Sequence, residues 1–98
     1  MSPAELRASA TRDAAPPAGL DAALQALWWQ ARGDWPAAHA AAQADAGPAA
    51  AWVHALLHRE EGDLANADYW YHRAGKRRPA GPLAEEWASI AAALLPGG

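Results

Sequence analysis

Apolar residues recur along this chain at helical spacing, in five blocks separated by Gly and Pro. Leu20, Leu24, Leu27, Trp28 and Ala31 fall at i, i+4, i+7, i+8 and i+11, one face of a helix over 20–32. Gly33 stops that helix, and Asp34 is suited to cap a second one running to about residue 44, with Trp35, Ala38, His39 and Ala42 on one face. Gly47-Pro48 breaks the pattern. A third helix follows over about 49–60, with Ala49, Trp52, Val53, Leu56 and Leu57 aligned. Gly62 ends it, and Asp63 caps a fourth over 64–74, with Leu64, Ala67, Tyr71 and Ala74 in register. Pro79, Gly81 and Pro82 separate this from a last helix over 83–95, whose stripe is Leu83, Trp87, Ile90, Ala91 and Leu94.

Residues 1–18 read differently. Ser2-Pro3-Ala4-Glu5 has the form of a capping box, but a helix over 3–10 has only Leu6 to bury, and Pro16-Pro17 breaks the chain after it. This segment is expected to be flexible or weakly helical, ahead of a helical domain over 19–98.

The blocks repeat. Gly33-Asp34 and Gly62-Asp63 occupy the same place in two helix–turn–helix units, 29 residues apart (62 − 33). After Gly62 come Ala67, Tyr71, Ala74 and Pro79. Small residues stand where two helices would touch, an aromatic lies between them, and a Pro terminates the unit. This resembles the second half of a tetratricopeptide repeat, and the stretch GDLANADYWYHRAG at 62–75 is also similar to Sel1-like repeats. The first unit keeps Gly33, Asp34, Trp35 and Ala38 but has Ala42 at the aromatic position. The run 52–75 further resembles a family of small bacterial proteins without an established activity, so that likeness implies no mechanism. The fold expected is all-α: a short tetratricopeptide-like solenoid of about five helices, closed by a C-terminal capping helix.

Composition refines this picture. Thirty Ala and ten Leu accompany one Val, one Ile and no Phe, while six Trp supply bulk. Ala favours helix and permits close helix approach, and each Trp buries on the order of 200 Å². The absence of Cys excludes disulfides and thiolate metal sites. A net charge of −3 argues against generic nucleic-acid binding. No apolar run is long enough for a membrane span and no secretory leader is visible, so a cytoplasmic protein is expected.

Candidate chemistry is sparse. His54 and His58 lie at i and i+4, with Glu61 continuing that face. Two imidazoles one turn apart can share a divalent metal, with Glu61 or His72 as a further ligand. That face is turned away from the Trp52/Val53/Leu56 core stripe, and the competing reading has the histidines facing the adjacent helix and hydrogen-bonded to backbone or a carboxylate. His39, beside Trp35, reads as a partly buried structural histidine, and His72 as the i+4 partner of Asp68. No nucleophile, phosphate-binding loop or triad is present, so an enzyme is the weakest reading. Trp28, Trp52 and Trp87 read as core. Trp29, Trp70 and Tyr69 are left as anchors for a partner, with Arg73, Lys76 and Arg77 as charge contacts. The function expected is non-catalytic protein–protein interaction, with a peptide, a partner helix or a second copy (a homodimer), and with no cofactor. The alternative is a small His-based divalent-metal-binding protein.

Overall fold

The computed structural model describes residues 1–96. Six helices and no strand occur among them: α1 (Pro3–Arg12), α2 (Ala22–Arg32), α3 (Trp35–Gln43), α4 (Pro48–Glu60), α5 (Leu64–Ala74) and α6 (Leu83–Leu94). Five of them match the periodic blocks of the sequence to within two residues at each end. The sixth, α1, comes from the segment expected to be flexible or weakly helical.

Two hairpins, α2–α3 and α4–α5, use the same turn. Gly33 and Gly62 both have positive φ, at 89° and 84°, a region that glycine enters without a Cβ clash. The following Asp then closes the preceding helix and opens the next. The Asp34 N–H donates to the Trp29 carbonyl and the Asp63 N–H to the His58 carbonyl, each at 3.0 Å. The side chains of Asp34 and Asp63 accept from the backbone N–H of Ala37 and Asn66. One dipeptide thus satisfies orphan groups on both helices. The repeat seen in the sequence is a repeat of turn geometry.

Helix α4 is the centre of the molecule. It packs against α2, α3, α5 and α6, and every residue from Val53 to His58 is buried. A helix surrounded in this way has no solvent face to spare over that stretch. That is why His54 and His58, expected on a face turned from the core, are only 3% and 6% exposed. Alanines make the close approaches: Ala38 and Ala42 on α3, Ala55 on α4 and Ala67 on α5 are essentially inaccessible.

Helix α6 lies on α1, α2 and α4, whereas the backbone of α5 runs close to α4 alone and reaches α6 through the Tyr71 side chain. The Trp87 indole N–H donates to the Leu27 carbonyl at 3.0 Å, in the core, and anchors α6 to α2. Beside it, buried Glu86 accepts from Arg59 at 2.7 Å and from the Tyr71 hydroxyl. Arg59 also donates to the Gly81 carbonyl, so one guanidinium ties α4 to the loop before α6. Burial, and the Glu86 carboxylate it donates to, push the Tyr71 phenol well above its ordinary pKa, so it stays a donor.

The docking of α1 rests on more than Leu6. Ser2 and Glu5 form the capping box that their spacing predicts. Leu6 and Ala10 are fully buried, and the buried Trp28 indole donates to Ser9 Oγ at 3.0 Å. Arg32 donates to the carbonyls of Ala10 and Asp13, and the Arg7 guanidinium stacks over Trp87 at 4.4 Å. Polar contacts to Trp and Arg, invisible to a hydrophobic-periodicity argument, fix this helix.

Candidate functional site

Two groups of side chains stand out, and both are organised by α4. The first lies at the seam of α3, α4 and α5. Three of the four histidines converge there: His39 from α3, and His54 and His58 from α4. One ring nitrogen of each lies within 4.8 Å of the others. The rings form a packed set. His39 stacks on Trp35 at 4.7 Å and lies perpendicular to the His54 ring, with centroids 4.6 Å apart. His54 stacks on Trp70 of α5, with centroids 3.9 Å apart and planes within 12°. Trp35 is itself fixed, because its indole N–H donates to the Leu57 carbonyl at 2.9 Å.

Polar contacts in the cluster are uneven. His58 Nδ1 lies 2.6 Å from Glu61, and its Nε2 is 3.4 Å from the Asn66 amide. Neither His39 nor His54 hydrogen-bonds to another side chain or to backbone among the described residues. Their nitrogens are not sealed in, since no fully enclosed side-chain nitrogen or oxygen lacks a partner among those residues. Burial, then the neighbouring His39 and His58, push the pKa of His54 down to about 4. Burial and His58 lower that of His39 as well, against a smaller opposing pull from Glu61. Both rings are neutral at pH 7 and retain a lone pair.

Of the metal ligands considered from sequence, His54 and His58 stand together, and Glu61 meets His58 but not His54. His72 does not join them. It follows Tyr71, which points into the core, so it projects from the exposed side of α5. His39 takes the third position instead. Its helical face beside Trp35 was legible, but the α3–α4 crossing that turns that face toward His54 was not. Nor is His72 paired with Asp68, whose carboxylate takes Arg78 at 3.0 Å.

The second group lies where α4 begins and α5 ends. Trp52, assigned from sequence to the core stripe, is only half-buried. It forms the shared wall of two adjoining cavities. One, of about 260 Å³, is bounded by Lys76, Arg77, Pro82, Glu85 and Ser89. The other, of about 380 Å³, is bounded by Ala49, Ala74, Lys76 and Leu94. The Lys76 ammonium sits 4.3 Å above the Trp52 ring, an exposed cation–π contact. Together these make a groove between the α4–α5 hairpin and α6, with Trp52 at its base, Lys76 and Arg77 on one side, and exposed Glu85 and the Arg59-paired Glu86 also in its lining.

The remaining partner candidates lie on the other flank of the same end. Tyr69 is 53% exposed, edge-on to Trp70, and Arg73 reaches both rings while donating to the Tyr69 hydroxyl at 3.2 Å. Trp70 is half-buried on His54, and with Arg73 it borders a third opening. Trp29 stands apart from both groups. It is half-buried against the core and edge-on to Trp28 at 4.9 Å.

Compared with protein-family models, with curated proteins and with solved structures, the chain matches none. No helix among the described residues is long and apolar enough to cross a membrane. The functional reading therefore rests on the geometry.

Proposed function

We propose that the protein is a non-catalytic interaction module: two tetratricopeptide-like hairpins that receive an acidic, apolar-faced helix of a partner protein. The observation that carries this is the groove at Trp52, flanked by Lys76 and Arg77. It lies beside α5, which has no helix on its outer side among the described residues. In stacked-hairpin proteins each hairpin contacts only its neighbours, and the array leaves extended surfaces that serve in binding. Here Trp52 offers a large apolar surface in a partly desolvated recess, the setting in which binding hot spots form. Lys76 covers it without a carboxylate partner, and Arg77 is exposed and makes no ion pair among the described residues. An incoming carboxylate gains both cations, and an apolar side chain displaces the lysine stem from the indole. Tyr69 and Arg73 extend the surface around the end of α5.

The test places a photo-crosslinking amino acid at Ser89, an exposed position bordering the groove, and a second at exposed Thr11 on α1 as a control. Cells expressing either form are irradiated, and adducts are identified by mass spectrometry. The reading expects an adduct specific to position 89 that is lost on Lys76→Glu/Arg77→Glu. Its target would carry an acidic amphipathic segment. Adducts to a second copy of the chain would redirect the reading to self-association. Equal labelling from both positions would refute it.

A further inference from the structure

We infer that His39, His54 and His58 form a three-imidazole binding site for a borderline divalent transition-metal ion, zinc or cobalt in kind, at the α3–α4 seam. This is independent of the groove. Imidazole nitrogen suits such ions, and three protein nitrogens with an open fourth position is a familiar zinc arrangement. The nitrogens of a tetrahedral site with zinc–nitrogen bonds near 2.0–2.1 Å lie about 3.4 Å apart. Here one nitrogen from each ring already lies within 4.8 Å of the others. Coordination of one ion would draw them closer, with His58 Nε2 exchanging its 3.4 Å contact to the Asn66 amide for the metal. His54 and His58 are one turn apart on a closely packed helix, and His39 faces them from a neighbour in direct contact.

Two features of the cluster fit a metal site. The first is chemical. His54 is only 3% exposed, yet neither of its nitrogens meets a protein hydrogen-bond partner among the described residues. The ring is enclosed by Trp70 and His39, but its nitrogens reach solvent, so a lone pair is open to a ligand. A metal ion takes up the free lone pair. The second is the surroundings of His58. Glu61 holds its Nδ1 at 2.6 Å, the carboxylate–imidazole contact that orients a metal-binding histidine and raises its basicity. An opening lined by Gln43, Asp45, His54, Trp70 and Arg73 gives solvent and ion a way in.

The experiment uses untagged full-length protein stripped with chelator and titrated with Co²⁺ under anaerobic conditions. The intense visible bands of tetrahedral cobalt are followed, and Zn²⁺ is then added as competitor. The inference expects equimolar saturation at micromolar or lower Co²⁺, bands abolished by Zn²⁺, and a higher melting temperature with Zn²⁺. His39→Ala and His54→Ala should each weaken binding at least about tenfold, and His72→Ala should leave it unchanged. Should an alanine variant lose helicity, His54→Gln and His39→Asn carry the same expectation, because each puts a polar amide where the ring stood. Absence of saturable binding by the wild type overturns the inference. So does binding that survives in folded His39 and His54 variants.

Discussion

Lowering the pH should destabilise this protein through His54, and the size of the effect follows from its surroundings. The ring is packed between Trp70 and His39, with His58 one turn away and Arg73 and Asp45 at the rim of the opening it borders. Its pKa is about 4 in the folded protein against an ordinary histidine value of 6.5. Between those two values the unfolded chain binds the proton that the folded protein refuses. The stability contributed by neutral His54 is therefore complete above about pH 6.5 and is lost progressively as the pH falls toward 4. Between about pH 7.5 and 5 the linkage integral gives a loss of about 2 kcal/mol. His39, lowered in the same direction, adds to it. The assay is urea denaturation of chelator-treated protein at both pH values, for wild type and for His54→Gln. The comparison is of the change with pH, so a lower absolute stability of the variant does not enter. The variant should lose about 2 kcal/mol less than wild type over this range. Equal losses in the two proteins would refute the burial argument.

Other perturbations probe the frame that positions the two sites. Arg59→Met leaves the Glu86 carboxylate buried with only the Tyr71 hydroxyl, and should cost about 3–5 kcal/mol in chemical denaturation. Tyr71→Phe removes one donor from the same carboxylate while the ion pair stays, and should cost nearer to about 1–2 kcal/mol. Ser9→Ala strands the buried Trp28 indole N–H, so α1 should loosen, with a loss of about 1–3 kcal/mol and faster amide exchange over residues 5–12. Gly62→Ala forces a Cβ into a backbone at φ 84°, and should cost about 1–2 kcal/mol although no neighbouring atom blocks it.

The helices were legible in the sequence because their signals are local. Leu24, Leu27 and Trp28 align at helical spacing, and Gly33-Asp34 and Gly62-Asp63 carry both a stop and a cap. What the pattern could not show was which neighbours each face would meet. Periodicity assigned Trp52 to the core and turned His54 away from it. In the fold, the middle of α4 is enclosed while its side near Trp52 opens onto the groove, so the histidine is buried and the tryptophan half-open. His39 shows the same point. Its position beside Trp35 implied partial burial, as found, but its meeting with His54 and His58 depends on how α3 crosses α4. The docking of α1 depends on Ser9, Arg32 and Trp28, whose polar contacts span about twenty residues and leave no periodic trace. The tetratricopeptide-like likeness rests on the shared Gly-Asp turn and the small contact residues. The placement of α6 across α1, α2 and α4 is a matter of tertiary packing.

The groove at Trp52 carries the functional reading, and nuclear magnetic resonance tests it most directly. Isotope-labelled protein would be titrated with a synthetic acidic amphipathic helix, and with a basic one of the same apolar pattern. The account predicts saturable shifts of the Trp52 indole and of Lys76, Arg77 and Ser89 with the acidic peptide, reduced by added salt, and little response to the basic one. Shifts confined to other surfaces, or equal responses to both peptides, would contradict it.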